Sequence, residues 1–300
     1  MHAANHPLNV LSPAEEDTIH RNLLRLVDEV GLQVENDALL DRVEAAGLGA
    51  RVDRVRQRIT LPPAATEAFI ASSEPVRWEE HTPHVHGGVD VYYGHYLDPA
   101  TGEYAPMTVE RARRYFQVAR AFAHVQGMGM LGCPLDDVPR TAEPLYERYW
   151  SWSLGVHPGG SIHQVSWGPY ILEMCEVHAA FTGQKPEEVF TGGVYLVPPL
   201  KLGYQEAEQV LWFLERGRRI GIGGSMATGG ATAPVTLAGM VTLTAAEGLL
   251  LGVLDRALHG RRSWGIWMSA TAMDPRTAMR PYGRPDMPLA SLIGFQMARR

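Results

Sequence analysis

The sequence predicts an α/β protein of TIM-barrel-like (β/α) units, an incomplete barrel preceded by an N-terminal helical and small β region. Three observations carry this expectation. From Thr108 onward, short apolar runs alternate with helix-length segments, the rhythm of right-handed βαβ units on a parallel sheet. Before Thr108 the pattern differs, with two capped helices followed by a turn-rich stretch. The rhythm supports roughly five units, whereas a closed barrel has eight. An open sheet and an incomplete barrel both satisfy it. The expected division is residues 1–107 for the N-terminal region and 108–300 for the barrel portion.

The elements follow in order. Ser12-Pro13-Ala14-Glu15 is a capping box with proline at the first helical position. Ile19, Leu23, Leu26, Val27 and Val30 recur at helical spacing, and Gly31 ends the helix. Asn36 to Ala46 is a second amphipathic helix closed by Gly47, and Arg51 to Leu61 is a short exposed strand. A helix from Ala65 to Ser72, a strand near Val76 to Trp78, and hairpins between His81 and Tyr104 complete the first region. Thr108 then caps a helix reaching His124. Strands are expected at Gly127–Leu131, Gly160–Val165, Glu188–Val197, Arg219–Gly223 and Ser263–Ser269. Helices at Glu143–Leu154, Tyr170–Thr182, Tyr204–Arg216 and Pro234–His259 alternate with them.

Composition narrows the classes of function. Apolar residues make up 45% of the 300 positions and charged residues 20%, as in globular proteins. A net charge of −6 argues against a nucleic-acid binder, which shows a basic stripe. Cys133 and Cys175 form neither a disulfide framework nor a CxxC pair, which favours a reducing, cytoplasmic setting. The first residues show no basic cluster followed by an apolar run, so no signal peptide is expected. The long apolar run Val235 to Leu258 contains Glu247, Asp255 and Arg256. It is therefore expected to be a buried helix and not a membrane span.

Ligands of parallel α/β proteins meet the C-terminal ends of the strands. Those ends hold Cys133 and Pro134; His163, Gln164, Ser166 and Trp167; Tyr195, Pro198 and Pro199; Ser225 and Met226; and Trp267 and Ser269. The set is rich in rings and hydroxyls, poor in carboxylates and without lysine. It suits a cationic or neutral ligand held by ring faces. His163, Gln164, Trp167, Tyr195, Ser225, Met226 and Trp267 are the candidate substrate-binding residues. The glycine-rich GGSMATGGATAP stretch lacks the lysine of a phosphate loop and is not a complete dinucleotide fingerprint. Ser225 does not sit in a GxSxG elbow. His81, His84 and His86 lie in the turn-rich region, where a solvated loop is the simpler reading than a metal site. Arg111, Arg113 and Arg114 fit an exposed helix face.

The block Gly223-Gly224-Ser225-Met226 with Gly230-Ala231-Thr232-Ala233-Pro234-Val235-Thr236-Leu237-Ala238-Gly239 resembles the most characteristic segment of the trimethylamine methyltransferase family. Supporting matches follow in the family's order: Leu11-Ser12, Asp28-Glu29-Val30-Gly31, and Leu97-Asp98 with Thr101-Gly102-Glu103. Further along come Pro134 with Asp136-Asp137-Val138-Pro139, and Asp274 with Tyr282-Gly283-Arg284-Pro285-Asp286. The resemblance implies an enzyme moving a methyl group from a quaternary or other methylated amine to the cob(I)alamin of a partner corrinoid protein. It also implies a member shorter than its relatives at the C-terminal end and without pyrrolysine. Glycine betaine-like and trimethylamine-like donors both stay open, as does self-association. A zinc-dependent barrel methyltransferase is the weaker alternative, since Cys133 and His163 alone supply too few ligands. A non-catalytic barrel fragment that binds a ligand or partner is the other.

Overall fold

The computed structural model describes residues 8–75, 87–90, 95–129, 135–160, 162–266 and 269–300. The expected strand near Val76 to Trp78 and the His81, His84 and His86 triplet fall outside the described residues. Close contacts gather the chain into two compact units: Met1–Thr82, Tyr195–Leu211 and Ile222–Arg300 in the first, Pro83–Val194 and Trp212–Gly221 in the second.

The first unit is built around the helix Leu237–His259, 23 residues long. Every residue from Leu243 to Leu254 is buried. A helix apolar on all sides must be enclosed, and helices Pro13–Glu29, Asp37–Ala45 and Asp286–Arg299 pack on it. Ile19, Ala227, Met240, Val241, Ala270, Ile293 and Met297 close this core. The helix is long and apolar enough to cross a membrane by length and composition, yet most of it is buried inside the unit. It begins later than expected. Thr236, not Pro234, leads in, its hydroxyl accepting the Gly239 N–H at 3.2 Å, which satisfies one of the free donors of the first turn.

The capping box at the N-terminal helix is present: the Glu15 carboxylate accepts the Ser12 N–H at 2.8 Å and its hydroxyl at 2.7 Å. Gln296 ties the segment ahead of it to the last helix. Its amide donates to the Leu11 carbonyl at 2.9 Å and accepts the Val10 and Leu11 N–H groups at 2.7 and 2.9 Å. The helix Asp286–Arg299 was not anticipated from the sequence.

A four-stranded sheet lies in the same unit, in the order Lys201–Leu202, Leu32–Val34, Arg58–Thr60, Arg51–Asp53. The first pair is parallel and the other two antiparallel. The single strand expected at Arg51 to Leu61 is thus a hairpin. The Asp53 carboxylate accepts the Val55 and Arg56 N–H groups, each at 3.0 Å, and this Asx-type turn reverses the chain. The strand expected at Ser263–Ser269 is instead the short Thr271–Ala272, parallel to Thr228–Gly229. Side-chain anchors hold the described part of the expected stretch: the Trp264 indole donates to Ser73 Oγ at 2.9 Å and the Arg262 guanidinium to the Ser72 carbonyl at 2.8 Å.

The second unit contains a three-stranded parallel sheet, Gly87–Asp90, Val125–Gly129 and His157–Pro158. Gly87–Asp90 therefore belongs to a parallel sheet, while the expected hairpin character is found at His95–Leu97 and Tyr104–Pro106. Helices Val109–Arg120 and Glu143–Ser153 cover one core through Phe116 and Trp150, and Gly168–Thr182 follows. Thr108 caps the first as expected. Arg113 and Arg114 pair with exposed Glu110 at 2.9 and 3.2 Å, the solvated face read from the sequence. The expected strand Gly160–Val165 contributes two backbone bonds to Gly193, at 2.6 Å from the Gly160 carbonyl and 3.1 Å from the Ile162 N–H. It then turns into a 3-10 segment at Val165–Trp167. In the expected strand Glu188–Val197, Pro186 starts a helical turn and the Glu188 carboxylate accepts the Lys185 N–H at 3.0 Å. The strand there is confined to Gly193–Tyr195.

Helix and strand are mixed, with 49% of the described residues helical, consistent with the expected α/β class. Among the described residues the strands form small sheets, none closed into a barrel.

Gly31 has φ +68°, and a Cβ there would lie 2.0 Å from the Ile59 carbonyl oxygen. Gly31→Ala should therefore lower unfolding stability by more than about 1 kcal/mol, since both conformation and space oppose it. Urea denaturation of the two proteins measures the difference.

Candidate functional site

The glycine-rich loop is held from beneath by the long helix. Ser225 is 1% exposed and Glu247 fully buried. The Glu247 carboxyl accepts the Ser225 N–H at 3.0 Å, and the Ser225 hydroxyl lies 2.7 and 2.8 Å from its two oxygens. It also accepts the Leu200 N–H at 3.1 Å. Burial pushes the Glu247 carboxyl upward from its ordinary range, and the bonds from Leu200 and Ser225 oppose that rise. Leu200 belongs to the turn after Tyr195, in which the Val197 N–H donates to the Lys201 carbonyl at 2.8 Å. Tyr195 and Met226 are half-buried beside this loop pair in sequence.

Arg280 fastens the neighbouring strand ends. Its guanidinium donates to the Ala227 carbonyl at 2.8 Å, the Ser269 carbonyl at 2.7 Å and the Ser269 hydroxyl at 2.9 Å. Its charge lies over the Tyr282 ring, 5.6 Å from the centroid. Asp286, at the head of the last helix, accepts the Thr271 hydroxyl at 2.9 Å and the Ala272 N–H at 2.8 Å.

The other sequence-derived residues belong to the second unit. His163 and Gln164 are exposed, and Trp167 is buried. The His163 and Trp167 rings meet edge to face, 6.1 Å between centroids. Nearby in sequence, Arg148 is wholly buried and donates to the Pro144 and Thr191 carbonyls at 3.0 and 2.9 Å. Cys175 is buried, and burial pushes its thiol upward, which makes it a packing residue and not a nucleophile. Cys133, Pro134 and Trp267 lie outside the described residues. Among the described residues, no three His, Cys, Asp or Glu side chains come together as a metal site.

The candidate residues thus divide into Tyr195, Ser225 and Met226 in one unit and His163, Gln164 and Trp167 in the other. Sequence reasoning missed Glu247, Arg280 and Asp286 as organisers of the strand ends. Glu247 had a visible signal, an acid in the middle of an apolar run. Asp286 closes the Tyr282–Asp286 segment quoted above. Arg280 had none, because its partners are mostly carbonyls.

The trimethylamine methyltransferase (MTTB) family model matches residues 1–300. The chain belongs to this family, a family of methylamine methyltransferases. Compared with curated protein sequences, it finds no match.

Partial burial works upward on the Asp286 carboxyl. The Ala272 N–H, the Thr271 hydroxyl and the Arg284 guanidinium outweigh it and hold the group below its ordinary range. A depressed carboxylate contributes stability that is present above its unfolded value, about 3.9, and is lost as pH falls through the folded value. Asp286→Asn should therefore destabilise the protein near neutrality, with the difference shrinking as pH falls below about 4. Denaturation at a series of pH values measures this. A gap independent of pH would show that the charge contributes nothing.

Proposed function

We propose that this chain transfers a methyl group from a quaternary or other methylated amine, glycine betaine-like or trimethylamine-like, to the reduced corrinoid of a partner protein. The observation that carries the reading is the family match across residues 1–300. The pinned Gly223–Gly239 loop supports it, because that segment also carried the resemblance on sequence. The corrinoid is read as the partner's and as the methyl acceptor, supplying the electron pair that takes the methyl carbon. As the carbon–nitrogen bond breaks, its electrons return to nitrogen. A quaternary ammonium therefore leaves as a neutral tertiary amine without a proton donor, whereas a trimethylamine-like donor must react with a proton on nitrogen, as the ammonium, to leave as a neutral secondary amine.

This chain's own residues would bind and orient the donor. Tyr195 in the first unit, Trp167 in the second and Trp267 from the sequence are each, taken separately, candidate ring faces for the cation, a contact contributing about 0.5–2 kcal/mol. Gln164 and His163 would orient a carboxylate on a betaine-like donor, and Met226 is the candidate beside Ser225 on the glycine-rich loop. Ser225 would contribute chiefly through its loop, its hydroxyl being engaged by Glu247. We keep 108–300 as the (β/α) portion of a barrel-like architecture and 1–107 as the region before it. A cytoplasmic setting fits the reading, with no nucleic acid and no membrane among the partners; self-association remains part of the proposal.

Mixing the chain with a cob(I) corrinoid protein and glycine betaine or trimethylamine should bleach the reduced-corrinoid absorbance in step with amine demethylation. Unchanged absorbance with every quaternary and tertiary amine tried would overturn the reading. Calorimetry addresses the rings separately: Tyr195→Ala and Trp167→Ala should each weaken betaine binding about 2- to 30-fold.

A further inference from the structure

Resting on the reading just given, we propose that Glu247 is a positioning residue of the methyl-transfer site, its carboxyl joining the ends of two neighbouring strands. The Leu196 N–H donates to the Gly223 carbonyl at 3.0 Å, a rung between the strand that carries Tyr195 and the strand that leads to Ser225. Past that rung both segments leave the ladder, one into the Val197–Lys201 turn and the other into the glycine-rich loop. Glu247 takes over as the link. One oxygen accepts the Leu200 N–H at 3.1 Å and the other the Ser225 N–H at 3.0 Å. Both bonds go to backbone, so they fix the path of the chain and not merely a rotamer.

The position in the fold gives the link its role. Strand C-terminal ends are where parallel α/β architectures meet ligands, and these two ends carry Tyr195 and Met226. The bland explanation, stability alone, fits poorly. An apolar side chain at 247 would extend the surrounding run and fill a buried space without desolvating a carboxyl. Among the described residues no cation pairs with Glu247, and its hydrogen-bond partners are the Leu200 and Ser225 donors. What the acid adds is one geometry for two loops.

Glu247→Gln is the test, because glutamine is nearly isosteric but has a single acceptor oxygen. Its NH2 group must face one of the two backbone donors. Two readouts are taken: amide hydrogen exchange at Leu200 and Ser225 by NMR, and steady-state kinetics with glycine betaine, trimethylamine and a cob(I) corrinoid protein. Faster exchange at one or both amides is expected. With it, kcat/KM should fall about 10- to 100-fold, most of the loss appearing in KM, as loosened substrate positioning predicts. Ser225→Ala keeps both backbone bonds, so its effect should be smaller than that of Glu247→Gln.

Unchanged exchange in Glu247→Gln would overturn the link itself. Faster exchange with unaltered KM would reduce Glu247 to a structural residue and overturn the positioning role. Where Glu247→Gln fails to fold, Glu247→Asp decides, because it keeps the carboxylate but withdraws it from the two amides by one methylene: faster exchange at Leu200 or Ser225 with a raised KM supports the role, and an unaltered KM sinks it. A wild-type chain inactive with every amine would overturn the functional reading and with it the positioning role, while the exchange data would still judge the link.

Discussion

The first unit depends on one constraint: a helix that is apolar on every side has to be wrapped. Leu237–His259 presents Leu243, Leu249, Leu250, Val253 and Leu254 around its circumference, all buried. At about 25 cal/mol per Å² of apolar surface, leaving such a helix uncovered is not an option for a folded chain. The helices Pro13–Glu29, Asp37–Ala45 and Asp286–Arg299 come from opposite ends of the sequence to cover it. The Gln296 clamp on Val10 and Leu11 is then a local consequence, since two segments brought to the same helix must also satisfy each other's backbone groups.

Into that apolar column the chain inserts one acid. A buried carboxyl is tolerated only when its acceptors are filled, and the donors it finds are the amides of Leu200 and Ser225 and the Ser225 hydroxyl. The helix that closes the core is thereby also the helix that places the loops. Packing and site geometry are two readings of one element. Arg280 plays a complementary part at the neighbouring strand ends, using a planar guanidinium to gather carbonyls from Ala227 and Ser269, a task suited to a group with several fixed donors.

How much of this was legible in the sequence follows from the range of the interactions. Elements set by local chemistry could be read directly: the Ser12–Glu15 capping box, the Thr108 cap, and the apolar period of the first helix. Elements set by pairing with distant segments could not. Gly87–Asp90 is a parallel strand only because Val125–Gly129 lies beside it, and Leu32–Val34 pairs with Lys201–Leu202 far along the chain. The long helix was visible, but its start was misplaced at Pro234 because proline and a threonine cap compete as signals over three residues. At the site, residue types were visible and their roles were not. Ser225 reads as a free hydroxyl on a strand end until Glu247 is seen to hold it. The family resemblance rested on the Gly223–Gly239 block without revealing what anchors it.

The wrapping of the long helix also has a consequence in time. The N-terminal helix leaves the ribosome with Ile19, Leu23 and Val27 facing a surface that does not yet exist. The second unit, Pro83–Val194 with Trp212–Gly221, is synthesised in between. At ~5–20 residues per second the wait is on the order of ten seconds or more. During that interval the second unit can gather most of its own core, whereas the N-terminal helix has only Pro63–Ala71 and the strand Arg58–Thr60 of its own unit to pack on. Until the long helix is made, the stripe of the N-terminal helix that it will cover stays only partly packed.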